Sequence, residues 1–168
     1  MTISKATSVA VNQALTIGTK YRYRVMATDT KGNASGWVYG RTFRAYLVQQ
    51  SNAAVKYHGS WHTLAMAGTS GGSIRYATTG GATTTYKFAG SSIAWVAYTS
   101  HSRGSVQVYL DGVLATTVSL RTTKAVTKVL AFSASWASNG THTLQIVVLG
   151  SAGHPRVDTD AFVRLRVY

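Results

Sequence analysis

Ser105-Val106-Gln107-Val108-Tyr109-Leu110-Asp111-Gly112-Val113-Leu114-Ala115-Thr116-Thr117-Val118-Ser119 is the stretch whose reading decides the fold. Val106, Val108 and Leu110 alternate with Gln107 and Tyr109, a two-residue period that gives a pleated strand one apolar face. Asp111-Gly112 then supplies the residue types of a tight hairpin turn, and a second β-rich run follows.

Outward from this hairpin the same grammar continues. Residues 53–58, 73–77, 82–88, 92–98, 127–133, 141–149 and 157–167 read as further short strands separated by turn signals. His142, Leu144, Ile146 and Val148 mark another inward face. Near the C-terminus, Ala161, Val163, Leu165 and Val167 face opposite to Phe162, Arg164 and Arg166, which makes Phe162 a bulge or a surface aromatic. No helical period appears and Glu is absent. About nine strands in this span predict an all-β, antiparallel, two-layer β-sandwich.

Several runs also resemble a galactose-binding-like jelly roll, the fold shared by many carbohydrate-binding modules. They are Tyr57-His58-Gly59-Ser60-Trp61, Phe88-Ala89-Gly90-Ser91-Ser92-Ile93-Ala94-Trp95-Val96, Arg103-Gly104, Val108-Tyr109-Leu110-Asp111-Gly112, Gly140-Thr141-His142-Thr143-Leu144 and Val157-Asp158-Thr159-Asp160-Ala161-Phe162. The resemblance covers about two thirds of the chain and implies a fold more than a ligand.

A different pattern precedes residue 45. Tyr21, Tyr23 and Val25 alternate with Arg22, Arg24 and Met26, and Lys31-Gly32-Asn33 supplies a reversal. Leu15, Gly18 and Tyr21, followed by Tyr23-Arg24-Val25, Ala27, Asp29, Gly32-Asn33 and Ser35, resemble the last three strands of a fibronectin type III domain, with Ile17 where that family usually has Pro. The expected organisation is therefore a partial fibronectin type III-like sheet over residues 1–45 and a jelly-roll sandwich over 46–168. Three strands do not stay ordered alone, so the face of Tyr21, Tyr23 and Val25 must pack on the rest of the chain, or the open edge must pair with another copy.

Composition narrows the chemistry. The 17 Lys and Arg residues against four acids give a formal net charge of +13, a field that attracts polyanions and also keeps an exported protein soluble. The cations are scattered rather than clustered, and aromatic platforms do not interleave with a basic groove, which disfavours nucleic acid as the partner. With no Cys, disulfides and thiolate metal sites are excluded. No apolar run reaches membrane-spanning length, and Met1 is followed by polar residues rather than a secretion signal.

Glycoside hydrolysis normally needs two carboxyl groups flanking the bond. Asp111 is taken by the hairpin and Asp29 by the end of a strand, leaving Asp158 and Asp160, for which local hydrogen bonding or a calcium ion are the competing readings. No nucleophile elbow or phosphate loop is present, and the five His residues have no metal-site spacing, so no catalytic residue, cofactor or metal is assigned.

If each strand reverses direction, loops near 78–81, 99–104, 120–126 and 150–156 share one end. That end gathers His101, Arg103, Arg121, Lys124, His154 and Arg156, with Tyr98 at its edge, a rim able to grip carboxylate or sulfate. The same parity puts Trp61 and Trp136, flat residues suited to stacking on sugars, at the opposite end. The expectation is a non-catalytic module of an exported protein that binds polysaccharide or cell-surface glycan. Its rival is a structural subunit that builds an extracellular homo-oligomer or filament through its N-terminal strands.

Overall fold

The computed structural model describes residues 14–168. Residues 1–13 of the expected fibronectin type III-like stretch lie outside the described residues. The strands are β1 (Lys20–Val25), β2 (Val38–Gln49), β3 (Val55–His58), β4 (His62–Ala65), β5 (Ser73–Ala77), β6 (Thr83–Thr99), β7 (Ser105–Leu110), β8 (Val113–Ser119), β9 (Val126–Val148), β10 (Val157–Thr159) and β11 (Ala161–Val167). Pairing between named strands is antiparallel, and the order in the large sheet is β1-β2-β11-β6-β9-β7-β8, with β3 also on β6. A small sheet, β10-β5-β4, lies beside it.

Two long strands turn one hydrogen-bonded sheet into two layers. The first half of β6 pairs with β3 and with the second half of β9, whereas its second half pairs with β11 and the first half of β9. Between Gly90 and Ser92 the register breaks, and the inward parity of β6 switches from Thr84, Tyr86 and Phe88 to Ile93, Trp95 and Ala97. A strand with strict two-residue alternation cannot change its inward parity without such an irregularity. Gly90 is required at this corner because a Cβ there would lie 2.5 Å from the Leu165 carbonyl oxygen.

The core between the layers combines Tyr86, Phe88, Ile93 and Trp95 of β6 with Val106, Val108, Leu144, Ile146, Val148 and Phe162. Phe162 has no exposed surface, so the sequence reading of it as a bulge or surface aromatic is corrected. It packs on Tyr86 at 5.3 Å, and the opposite face of β11, with Val163 and Leu165, is the partly exposed one. Farther along the same face as Phe162 come Arg164 and Arg166, where β11 leaves the core behind.

The N-terminal hairpin is joined to this sheet through β2, which runs unbroken through residue 45 and pairs with β1 on one side and β11 on the other. The rings of Tyr21 and Tyr23 lie against Phe43 at 6.0 and 5.2 Å. Tyr23 and Val25 nevertheless remain 50% and 64% exposed. Beside them opens a groove of about 420 Å³ lined by Tyr23, Arg41, Phe43, Ala137, Leu165 and Val167. Among the described residues β1 pairs only with β2, so its outer edge is free.

Candidate functional site

Loops 99–104, 120–126 and 149–156 meet at one end of the sandwich. Ser100 forms a bridge with Arg121 and Arg103 with Arg156, the Gly104 N–H donates to the Arg156 carbonyl at 2.8 Å, and the Leu120 N–H donates to the Gly104 carbonyl at 2.9 Å. Gly104 has no room for a side chain, since a Cβ would collide with the His154 carbonyl oxygen. The 78–82 loop joins them through the Gly81 N–H, which donates to the Val148 carbonyl at 2.8 Å.

At the centre of this end sits Asp158, with no exposed surface. Arg103 donates to its Oδ2 through Nε, and Arg156 donates to Oδ1 through Nε at 2.9 Å, with Nη2 at 2.8 Å. Each guanidinium also covers a ring: Arg103 lies over Tyr98 at 4.6 Å and Arg156 over Tyr76 at 4.0 Å. The small sheet aligns His62, Tyr76 and Asp158 in one cross-strand row, and His62 lies 5.3 Å from the Tyr76 ring. The row passes from buried Asp158 through half-buried Tyr76 to exposed His62. The result is a continuous array, Tyr98, Arg103, Asp158, Arg156, Tyr76 and His62, in which aromatic and charged groups are held by one carboxylate.

This arrangement changes the standing of the predicted rim. Arg103 is buried and Arg156 is mostly so, and both are committed to Asp158. Arg121, Lys124 and His101 are exposed, while His154 is half-buried with its backbone N–H donating to the Ser151 carbonyl at 3.0 Å. Asp160 is also fully buried and accepts the Ser70 N–H at 2.9 and 3.0 Å, one distance to each carboxylate oxygen; burial raises its pKa above the ordinary aspartate value. Among the described residues no group of three or more His or acidic side chains is placed to hold a metal ion.

The two tryptophans do not share an end. Gly59 abuts Ala82, and His58 pairs with Thr83, so Trp61 stands beside the 78–82 loop at the basic end. The parity reading failed because it omitted β4; one more strand between residues 58 and 73 reverses every count made across it. Trp61 is half-buried against Tyr57, 5.0 Å between rings, and its Nε1–H donates to the His58 carbonyl at 3.2 Å. The Tyr57 hydroxyl donates to the Gln50 carbonyl at 2.8 Å, and burial pushes its pKa up to about 12.

Trp136 lies beyond the corner of β6 and β9. It stacks on His142 with centroids 3.8 Å apart and packs toward Phe88 at 6.1 Å. His142 Nδ1 is 2.7 Å from Asp111 Oδ2, and Asp111 Oδ1 accepts the Thr143 N–H at 2.7 Å. The His142 contact, followed by the Thr143 N–H, lowers the Asp111 pKa below its usual value. Trp136, His142 and Asp111 thus brace the hairpin turn.

With this geometry in place, likeness to known proteins is informative. No protein-family model matches the chain. Two proteins of Flavonifractor plautii match it over 115 residues: an A type blood N-acetyl-alpha-D-galactosamine deacetylase at 31% identity and an A type blood alpha-D-galactosamine galactosaminidase at 32%. The match takes in 68% of this chain but only 14% and 10% of those proteins. Among solved structures, a family two carbohydrate esterase from Cellvibrio japonicus aligns with a TM-score of 0.55 at 15% identity, over 74% of this chain and 34% of that one. CBM35 from Cellvibrio japonicus Abf62 aligns with a TM-score of 0.50 at 16% identity, over 72% of this chain and 96% of that one. The CBM36-1 domain of a xylanase from the hindgut metagenome of Trinervitermes trinervoides gives a TM-score of 0.50 at 12% identity, over 71% and 95%. The fold is that of a carbohydrate-binding-module-like jelly roll.

Proposed function

We propose that the chain is a non-catalytic glycan-binding module of a larger exported protein, and that it takes its ligand at the loop end. The observation that carries this reading is the array from Tyr98 to His62. It presents the exposed imidazole of His62, the half-buried rings of Tyr76 and Tyr98 and the outer part of Arg156 in a fixed arrangement, which suits the alternating hydroxyl and C–H faces of a sugar. Both acids near it are buried and hydrogen-bonded, which leaves no pair of free carboxyl groups to flank a glycosidic bond. The two relatives are named for activities on galactosamine and its N-acetyl form, so an N-acetyl-α-D-galactosamine-terminated glycan is the first probe.

The test is a glycan array at 150 mM salt followed by calorimetry. His62→Ala combined with Tyr76→Ala is expected to weaken the best neutral glycan at least tenfold with the melting temperature nearly kept. If no glycan binds the intact protein, this reading is wrong.

A second reading is favoured by the groove between Tyr23, Phe43, Leu165 and Val167 beside the free edge of β1. There the hairpin would receive a second copy. The Thr16 N–H donates to the Tyr21 hydroxyl at 2.8 Å, the bond expected of a tyrosine corner, and supports reading the hairpin as fibronectin type III-like. In that reading the boundary at residue 45 divides one continuous strand, and the two parts share a sheet. Sedimentation at several concentrations decides it: dimers lost on Tyr23→Glu support assembly, and a concentration-independent monomer removes it.

A further inference from the structure

Beyond the loop end, the core-side face of β1, β2 and β11 overhangs the opposing layer and carries a different chemistry. Lys20, Arg44 and Arg166 stand directly opposite one another in a single cross-strand row. Arg22, Arg24 and Arg164 flank that row on the same three strands. Like charges placed directly opposite on neighbouring strands destabilise a sheet. Here nothing neutralises them: among the described residues the ion pairs use Arg103, Arg156 and His142 only. The acids nearest in sequence are engaged elsewhere: Asp160 is buried and accepts the Ser70 N–H, and Asp29 spends its carboxylate on the turn, accepting from the Lys31 and Asn33 backbone N–H groups and from Asn33 Nδ2.

Each of these cations lies over an aromatic ring. Arg24 lies over Trp37 at 4.0 Å, Arg22 over Tyr39 at 4.4 Å, Arg164 over Tyr46 at 4.1 Å, and Lys20 over Tyr168 at 4.8 Å. Arg44 also lies over Tyr46 at 5.5 Å, Arg166 over Tyr168 at 5.6 Å, and the two tyrosine hydroxyls are 2.6 Å apart. Ring faces steady a cation without discharging it. The guanidinium planes are thus fixed. Arg22 and Arg44 also donate through Nε to the Gly40 and Gly18 carbonyls and Arg164 through Nη1 to the Ala89 carbonyl, so two-pronged contacts to an anion fall to Arg24, Arg166 and the remaining Nη groups.

We propose that this face is a second binding surface, for an extended anionic polysaccharide bearing carboxylate or sulfate groups. Same-face residues on a strand recur about every 7 Å and strands lie about 4.8 Å apart, so the cations form a lattice suited to regularly spaced charges. A polysaccharide is favoured over nucleic acid because the rings are already covered by cations and offer few open faces on which bases could stack.

The experiment measures binding of a sulfated octasaccharide and a polyuronate oligomer to the whole chain at 150 mM salt, with duplex DNA of equal charge alongside. A triple variant, Lys20→Gln, Arg22→Gln and Arg166→Gln, is compared with Lys56→Gln, Lys87→Gln and Lys128→Gln, exposed lysines outside both surfaces, which removes the same charge elsewhere. The first triple is expected to weaken anionic glycan at least thirtyfold and the second less than threefold. Because the first relieves like-charge opposition, its melting temperature should equal or exceed that of the parent. Arg22→Lys with Arg166→Lys, which keeps charge but loses the fork, should fall between. Equal losses in both triples, or DNA bound as tightly as glycan, would overturn the proposal. Neutral-glycan binding at the loop end should be unchanged by the first triple, and anionic binding unchanged by His62→Ala with Tyr76→Ala, so failure of one site is separable from failure of the other.

Discussion

Asp158 has no exposed surface and lies between two guanidinium groups, one of them on Arg103, which is itself only 7% exposed. Replacing it by Asn leaves Arg103 as a buried cation without a counter-ion, a loss of about 3–5 kcal/mol. Removing the outer partner by Arg156→Gln leaves Asp158 still paired and touches a side chain with 24% of its surface in water, so the loss should be about 1 kcal/mol. Urea denaturation of the two variants measures the ordering; equal losses would mean that Arg103 does not depend on Asp158. The convergence of Arg103, Arg121 and Arg156 on one end was legible in the sequence, because alternation of strand direction requires only that the intervening strands exist. The capture of two arginines by Asp158 was not, since no local pattern links residue 103 to residue 158. Only half of it left a trace, in the two-residue spacing that puts Arg156 and Asp158 on one side of the backbone. His62 and Tyr76 went unnoticed for a related reason: their contact depends on a pairing with β4 that the sequence reading did not contain.

At the level of elements, periodicity was readable wherever a strand has a buried face. Val106, Val108, Leu144, Ile146 and Val148 are all buried, and Asp111 and Gly112 adopt the positive φ values, 51° and 83°, that the hairpin turn needs. Strand β4 escaped because all four of its residues are exposed, which leaves no alternation to detect. The runs 82–88 and 92–98 looked like two strands for a different reason: their inward parity reverses at Gly90, and reversal of pattern in sequence is the same whether a chain ends a strand or bends it. The corner makes a specific demand on that glycine. Gly90→Ala drives a Cβ toward the Leu165 carbonyl, which is backbone of a paired strand and has little freedom to retreat. The expected loss is about 1–3 kcal/mol, of the kind seen for overpacked cores. Chemical denaturation followed by tryptophan fluorescence measures it, with buried Trp95 five residues away as reporter. An Ala variant as stable as the parent would show that the bend tolerates a side chain.

For the molecule as a whole, the two surfaces divide the excess charge unequally. The few acids are used internally: Asp158 and Asp160 are buried, while Asp29 and Asp111 fasten turns. A formal charge of +13 is therefore left mainly on the outside, with six cations gathered on three neighbouring strands. Such a distribution opposes compaction through self-repulsion, which mobile ions relieve. Raising NaCl from 10 to 150 mM shortens the screening length from about 30 Å to about 8 Å, less than the width of a small sheet. The buried Arg103–Asp158 pair is screened little over that range, so its loss cannot cancel the gain. Scanning calorimetry should accordingly show the melting temperature rising by at least about 2 °C, the scale of a stability change near 1 kcal/mol for a chain of this size. The triple exchange of Lys20, Arg22 and Arg166 should flatten part of that rise, because it removes the cations that face one another across the strands. A melting temperature that stays level or falls with salt would mean that the exposed cations are already balanced, and the basic face would lose its reason to seek an anion.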